Sequence, residues 1–207
     1  MIKAEVNITG TVRRSASIRT DRNNQPYVSF VMSVSLADGS GTRDIRVFVS
    51  VPQARQSDLS VYTEGQRVTA SGTMDIRRKD DGLSFYLTAR LVTAENVPAL
   101  DAISGTLSFR GYLKKENIFD ERTSKNGRPY LLFSAYSSEK VGDNFVSTWV
   151  TFMRFPEKNA TVESIKPDWL RPRAHVDISG DLRISFYKEA PSLSCIVSEM
   201  TEHINNS

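Results

Sequence analysis

Hydrophobic and polar residues alternate with a period of two along most of the chain. In the first hundred residues this pattern forms five runs, each typical of a strand with one buried face. The runs are Ala4–Val12, Val28–Leu36, Ile45–Val51, Val68–Ile76 and Leu83–Leu91. Gln53–Tyr62 breaks the alternation and predicts a short helix, with Tyr62 facing inward. The predicted order is three strands, a short helix and two strands.

The second half of the chain repeats this order. Asn23–Phe30 reappears as Asn126–Phe133, and Arg67–Ile76 reappears as His175–Ile184. We predict strands at Leu107–Leu113, Leu131–Ala135, Trp149–Phe155, Val176–Phe186 and Leu193–Val197, a helix at Glu157–Trp169, and mid-strand bends at Gly10 and Gly111. The repeat therefore predicts an all-β protein with two tandem domains, residues 1–98 and 103–203.

Composition narrows the classes of function. Of the 207 residues, 39% are hydrophobic and 25% charged, as in folded globular domains. Cys195 is the only cysteine and alternates with apolar neighbours, so we expect a buried thiol and no internal disulfide. With only His175 and His203 besides, no zinc pattern can be assembled. No apolar run reaches the ~18 residues of a membrane span, and the N-terminus lacks the apolar core of a signal peptide.

Motifs of common enzyme classes are absent from the sequence. Neither a G-x-x-x-x-G-K-[ST] phosphate loop nor a G-x-S-x-G serine elbow occurs. Asp80 and Asp81 precede Gly82 and are typical of a hairpin turn rather than of acid–base catalysis. We expect a cytoplasmic protein that is not an enzyme and uses no cofactor, metal, membrane or small-molecule substrate.

Positive charge is concentrated in the first repeat. The net charge of the chain is +3, and residues 1–100 hold 13 Lys+Arg against 10 Asp+Glu, whereas residues 101–207 hold 14 of each. Two predicted loops carry most of these cations: Arg13, Arg14, Arg19 and Arg22 in one, and Arg77, Arg78 and Lys79 in the other. Arginine both pairs with phosphate and stacks on bases, so these loops indicate a nucleic-acid partner.

Both repeats resemble the DNA-binding domain of bacterial single-stranded-DNA-binding proteins. The shared features are a basic loop with an Asn-Gly-like turn (Arg13–Asn24, Lys114–Arg128), a Trp followed six residues later by a Phe (Trp149, Phe155), and a glycine-containing strand that leads into a basic or aromatic hairpin (Gly72–Lys79, Gly180–Lys188). The first repeat has Ile45 and Val51 where the second has Trp149 and Phe155. The resemblance implies two tandem OB-folds, five-stranded barrels with a short helix between strands 3 and 4, and a homodimer with four such folds.

The resemblance and the charge distribution together define a predicted binding site. In an OB-fold the groove crosses strands 2 and 3 between two loops. Cations there would neutralise phosphates and aromatic rings would stack on bases. We expect the first repeat to depend more on charge and the second more on stacking. The predicted nucleic-acid-binding residues are Arg13, Arg14, Arg19, Arg22, Arg46, Arg77, Arg78, Lys79, Lys114, Lys115, Arg128, Tyr130, Trp149, Phe155, Tyr187 and Lys188.

The predicted function is binding of single-stranded DNA without sequence preference, in replication, recombination or repair, with RNA as a second candidate ligand. Relatives usually end in a flexible tail with an acidic tip, whereas Thr201–Ser207 directly follows the last predicted strand, so we expect no partner recruitment by such a tail. The near-neutral second repeat also fits an alternative, an OB-fold protein–protein adaptor or accessory factor of a replisome or mobile element. Binding of structured RNA or tRNA is a further alternative.

Overall fold

The computed structural model describes residues 1–52, 56–79 and 82–204 and is almost entirely β, as the alternation predicts. The start of the first predicted helix, Gln53–Arg55, and the predicted turn residues Asp80 and Asp81 lie outside the described residues. No helix within the described ranges is long and apolar enough to cross a membrane.

The chain divides into two compact units. The first unit comprises Lys3–Gly105 and Ser185–Pro191. The second unit comprises Met1–Ile2, Thr106–Ile184 and Ser192–Ser207.

In the first unit, five strands pair in a closed ring. The strands are β1 (Ile2–Thr20), β2 (Pro26–Asp38), β3 (Gly41–Pro52), β4 (Arg67–Lys79) and β5 (Gly82–Thr93). β1 pairs with β2 and β4, β2 with β3, and β4 with β5, all antiparallel, and a short parallel pairing of β3 with β5 closes the ring. The inward members of each strand, such as Phe30, Val47 and Phe85, are buried. The predicted alternation therefore forms the core of this unit.

The remaining strands repeat the ring with one addition. They are β6 (Ala102–Leu113), β7 (Phe119–Thr123), β8 (Pro129–Val141), β9 (Asn144–Arg154), β10 (His175–Tyr187) and β11 (Ala190–Glu202). β6 pairs with β8 and β10, β8 with β9, β9 in parallel with β11, and β11 lies next to β10. β7, which the sequence pattern does not predict, pairs with β8. The core contains Phe152, whose ring lies 5.1 Å from that of Phe109 and 5.2 Å from that of Phe133.

The two predicted basic loops are largely strands. β1 continues to Thr20 and pairs with β2 as far as Pro26, with register shifts on either side of Arg14 that bend the strand. Beyond Val12, the residues of β1 are exposed or half-buried, although Val28 and Phe30 of the paired strand are buried. Neither face of this part of β1 is buried, so it carries no hydrophobic alternation. The prediction of loops was wrong for that reason.

The predicted turn at the end of this hairpin is present. Asp21 Oδ1 accepts hydrogen bonds from the backbone N–H groups of Asn23 and Gln25, both at 2.8 Å. Asn24 has a φ of 57° and Gly127, its counterpart in the second repeat, a φ of 75°. A positive φ favours Asn and Gly, which explains why this turn sequence recurs.

The helical segments are shorter than predicted. Between β3 and β4 a 3-10 helix spans Gln56–Val61, and Tyr62 behind it is buried with its ring 5.0 Å from that of Phe30. The second predicted helix, Glu157–Trp169, is wrong, because only Glu163–Ile165 form a 3-10 turn. Pro167 follows this turn, and a proline restricts the residue before it to extended conformations.

Gly10 and Gly111 lie where a strand passes close to its neighbour. Gly10 pairs with β4, and two residues later Val12 pairs with β2, so β1 changes partners here. A Cβ on Gly10 would lie 2.5 Å from the backbone oxygen of Ser33, and one on Gly111 would lie 2.2 Å from that of Tyr136. Close approach of the backbones therefore requires glycine, while the register shifts of β1 come later, at Val12 and Arg14.

Candidate nucleic-acid interface

In the first unit, three predicted cations line one shallow concavity. Its lining residues are Arg13, Arg14, Val31, Arg46 and Phe48, and we call this surface the basic trough. Arg13 and Arg14 come from β1, Val31 from β2, and Arg46 and Phe48 from β3. All but Val31 are exposed, since they occupy the outward positions of their strands. The trough thus combines cations from β1 and β3 with an aromatic ring on β3.

The aromatic part of the trough was missed by the sequence analysis. Phe48 is 38% exposed and stacks on Tyr86 of β5, with ring centroids 5.4 Å apart and an interplanar angle of 21°. The two residues are opposite each other in the parallel β3–β5 pairing. Alternation indicates that Phe48 points outward between buried Val47 and Val49, and this signal could have identified it. Tyr86 could be placed beside it only from the strand register.

The basic β4–β5 hairpin is joined to the trough by strand pairing. On one side of β5, Arg77 of β4 pairs with Ser84. On the other side, Val47 of β3 pairs with Phe85, so the neighbouring Arg46 lies beside Ser84. Neighbouring strands lie about 4.8 Å apart, so Arg46 and Arg77 flank β5 at roughly 10 Å. Arg77, Arg78 and Lys79 are all exposed. The structure therefore brings four predicted cations, Arg13, Arg14, Arg46 and Arg77, onto one connected surface.

The predicted cations of the first repeat are those without a described acidic partner. Lys3, Arg43, Arg67 and Arg90, which were not predicted, pair with acidic side chains: Lys3 with Asp75, Arg43 with Asp38 and Glu189, Arg67 with Asp101, and Arg90 with Glu5. Among the described residues, no ion pair is formed by Arg13, Arg14, Arg19, Arg22, Arg46, Arg77, Arg78 or Lys79. Their charges are therefore available to an anionic ligand.

Arg19 and Arg22 lie away from the trough, near the end of the β1–β2 hairpin. Arg19 pairs with Tyr27, and Arg22 belongs to the turn that follows β1. Six residues of strand separate Arg13 from Arg19, or about 20 Å at 3.3 Å per residue. Tyr27 is half-buried. The hairpin thus carries two further predicted cations at a distance from the trough.

The hairpin between β10 and β11 carries Tyr187 and Lys188, which we predicted for the second repeat. By its contacts, Ser185–Pro191 belongs to the first unit. A guanidinium N–H of Arg43 donates to the backbone oxygen of Glu189 at 3.3 Å. Tyr187 is 68% exposed, and Lys188 Nζ lies 5.5 Å from the centre of its ring. These two predicted residues are therefore grouped with the first unit.

In the second unit, Tyr130, Phe155 and Arg128 form one cluster. The rings of Tyr130 and Phe155 are stacked with centroids 4.9 Å apart, and the Arg128 guanidinium lies 5.2 Å from the Phe155 ring. Tyr130 lies at the start of β8, and Phe155 directly follows β9. Arg128 is exposed, whereas both rings are half-buried. Three predicted residues thus form a stacked pair with a cation beside it.

Trp149 belongs to a separate aromatic group. It is 49% exposed, and its ring lies 4.9 Å from that of Tyr136, which faces it across the β8–β9 pair. The same register corrects the sequence alignment of the repeats. Ser33 and Tyr136 are equivalent, because each lies three residues after the aligned Phe30 or Phe133. Ser33 faces Arg46 and Tyr136 faces Trp149, so Trp149 corresponds to Arg46 and not to Ile45.

Two predicted lysines join neither cluster. Lys114 and Lys115 follow the end of β6, where the N–H of Arg173 donates to the backbone oxygen of Lys114 at 3.4 Å. Lys115 is exposed, whereas Lys114 is half-buried.

Burial shifts the pKa of two further ionisable groups, the buried Cys195 and the half-buried Arg154. Burial raises the pKa of the Cys195 thiol to about 12, so this sulfur stays protonated. Burial also lowers the pKa of Arg154, whose guanidinium donates to the backbone oxygen of Ile165 at 2.9 Å. No group of three or more His, Cys, Asp or Glu that could hold a metal ion occurs among the described residues.

Comparison with solved structures finds single-stranded DNA binding proteins. The wild-type protein of Thermus aquaticus is 13% identical, with a TM-score of 0.46, and the match covers 99% of this chain and 94% of that one. A mitochondrial protein of S. cerevisiae is 23% identical over 49% of this chain and 97% of its own, with a TM-score of 0.37. A small protein of Streptomyces coelicolor is 18% identical over 45% and 90%, with a TM-score of 0.35.

No protein-family model matches the chain, and no significant match is found among curated proteins. The TM-scores of the three structures described are all below 0.5.

Proposed function

We propose that the chain binds single-stranded DNA without sequence preference and is not an enzyme. The observation that carries the proposal is the basic trough, where Arg13, Arg14 and Arg46 line one concavity together with the exposed ring of Phe48. A single strand presents a phosphate backbone and unstacked bases, and its binding requires cations beside flat side chains. The trough offers both, with cations from β1 and β3 and a ring from β3.

The strand pairing supports two OB-folds as the framework. Each repeat has strands that close in the order first, second, third, fifth and fourth, with a 3-10 segment between the third and fourth. In OB-folds the second and third strands carry the ligand. The trough has residues on β2 and β3, and the Tyr130–Phe155 cluster lies on β8 and next to β9.

The two clusters also support a division of labour between the repeats. The first repeat supplies free cations to phosphates, and the second supplies more ring surface to bases. Roles in replication, recombination or repair, a cytoplasmic location and a homodimer complete the proposal.

The alternative is a protein–protein adaptor that uses the same surfaces for docking. Exposed rings such as Phe48, Trp149 and Tyr187 would also serve a protein partner. The free arginines favour nucleic acid, since a cationic trough with no described acidic partner matches a polyanion. A protein partner would have to supply carboxylates to these arginines, whereas a nucleic acid carries a phosphate at every nucleotide.

The test is a titration of the full chain with fluorescently labelled oligothymidylate, with anisotropy measured at two salt concentrations. The proposal expects saturable binding that weakens as salt rises. Duplex DNA and folded RNA of equal length are the competitors, and they should displace the oligomer poorly. Absence of binding at low salt would exclude the proposal and favour the adaptor. Stronger competition by folded RNA would favour the structured-RNA alternative.

A further inference from the structure

Four aromatic rings cross the second unit from strand to strand. Trp149 on β9, Tyr136 on β8, Tyr112 on β6 and His175 on β10 form this series, which we call the aromatic row. Successive ring centroids lie 4.9, 6.1 and 4.4 Å apart, and the last pair, Tyr112 and His175, is stacked at 13°. These distances are those of directly interacting aromatic rings.

Strand register creates this row. Tyr136 faces Trp149, Tyr112 faces Tyr136, and His175 faces Tyr112 in the three pairings. Their neighbours Ala135, Val150 and Val176 are buried, so the rings occupy the outward face. Trp149 is 49% exposed and Tyr112 40% exposed, which leaves aromatic surface open to a ligand.

The first repeat shows that the fold does not require these rings. By the same registers, the equivalent positions there are Arg46, Ser33, Thr11 and Arg67. That row has no ring, yet its strands pair in the same way. The aromatic row is therefore a property of the second repeat and calls for an explanation other than sheet pairing.

The aromatic row is distinct from the Tyr130–Phe155 cluster. Tyr130 and Tyr136 lie on the same strand, six residues apart, which corresponds to about 20 Å. At its β10 end the row is followed by His203, whose ring lies 4.4 Å from that of His175 and whose Nδ1 is 2.7 Å from Asp177 Oδ2. The Asp177 contact holds the His203 ring, which packs against His175 at the end of the row.

We propose that the aromatic row is a second base-stacking site, which takes the unstacked bases of a single-stranded nucleic acid across β9, β8, β6 and β10. The inference rests on the proposed function and assigns Tyr112, Tyr136 and His175 to it. Bases stack on aromatic rings irrespective of sequence, and a row across four strands would accept several in succession. Cations are not required within the row itself, because the phosphates of stacked bases point away from the rings.

The test uses the full chain with Trp169→Phe, so that Trp149 is the only tryptophan. Its fluorescence is followed during titration with an oligothymidylate and with an abasic oligomer of the same length, which keeps the phosphates and lacks the bases. The oligothymidylate should quench Trp149, and the abasic oligomer should not. Tyr112→Leu should weaken oligothymidylate binding by about 5- to 150-fold and leave abasic binding unchanged.

Tyr112→Phe is the matched control, because it retains the ring and should retain the affinity. Unchanged abasic binding by Tyr112→Leu also reports that the variant is folded. If that variant does not fold, the pair Trp149→Leu and Trp149→Phe, read by anisotropy of a labelled oligomer, tests the row in its place. Oligothymidylate binding that neither quenches Trp149 nor responds to Tyr112→Leu would overturn this inference and leave the proposed function intact. Absence of all binding would overturn both.

Discussion

Replacing Arg13, Arg14 and Arg46 with Gln removes three guanidinium groups from the basic trough and leaves a neutral polar side chain at each position. None of the three forms an ion pair with a described acidic residue, so each is free to displace a counterion from a phosphate. For single strands, each neutralised phosphate contributes about 0.7 to the slope of log K against log salt concentration. Loss of three contacts should therefore make the slope shallower by about 2.

The same slope sets the size of the effect on affinity. The three phosphate contacts together contribute a slope of about 2, and salt rises fourfold between about 50 and about 200 mM. Wild-type affinity should consequently fall about 20-fold more than that of the triple variant over this range. The measurement is the anisotropy of a labelled oligothymidylate at four or more salt concentrations.

The matched control replaces Lys3, Arg90 and Lys158, an exposed residue in the turn after β9, with Gln and removes the same net charge. Lys3 and Arg90 already pair with Asp75 and Glu5, at 3.7 and 2.7 Å. Exposed ion pairs of this kind stabilise by about 0–1 kcal/mol, so the control should remain folded. An equal change of slope in both variants would mean that binding depends on net charge and not on the trough. An unchanged slope in the trough variant would exclude these arginines from phosphate contact.

Three further predictions address the trough, the backbone and the core. Phe48→Leu should weaken oligothymidylate binding by about 1–3 kcal/mol through lost stacking, at an unchanged salt slope; a shallower slope would contradict this reading. Gly111→Ala places a Cβ 2.2 Å from the Tyr136 backbone oxygen and should lower the free energy of unfolding in urea by roughly 1–3 kcal/mol, whereas Gly82→Ala, with open space around it, should not. The Cys195 thiol should resist labelling at pH 8 in the folded chain and react in denaturant. Its folded pKa of about 12 exceeds the ordinary 9.0, so the unfolded chain loses this proton at lower pH than the folded chain does. The contribution of Cys195 to the free energy of unfolding should therefore decline as pH rises from 9 towards 12.

The alternation in the sequence predicts the core because burial follows the strand period wherever a strand has one buried face. It fails where pairing is irregular. Leu91 continues the inward run that includes Leu87 and Ala89, yet it is 63% exposed. Gly72 pairs with Ala89 and the adjacent Ser71 with Leu91, so β5 has one extra residue, Arg90, at this point. Beyond that bulge, the inward and outward positions of β5 are exchanged. Nothing in the local alternation indicates that extra residue.

The charged part of the candidate site can be predicted because its cations are neighbours in the sequence. The cations of the first repeat stand close together in sequence, and all eight predicted ones are exposed. Aromatic partners are brought together across strands instead. Tyr86 reaches Phe48 through a parallel pairing, and Tyr112 reaches Tyr136 through a two-residue contact of β6 with β8. Such pairs depend on register, which a single sequence defines only loosely.

Equivalent positions in the two repeats should contribute to binding with different dependence on salt. Arg46 on β3 and Trp149 on β9 occupy the same position, but their contributions respond differently to salt. A phosphate contact weakens as counterions compete, whereas stacking on a ring involves no counterion release. On the proposed function, the first repeat would accelerate association at low salt through its charge, and the second would retain the strand once screening has removed that attraction. Affinity at high salt should therefore depend on Trp149 and its neighbours more than on Arg46, although both residues project from the same point of the fold.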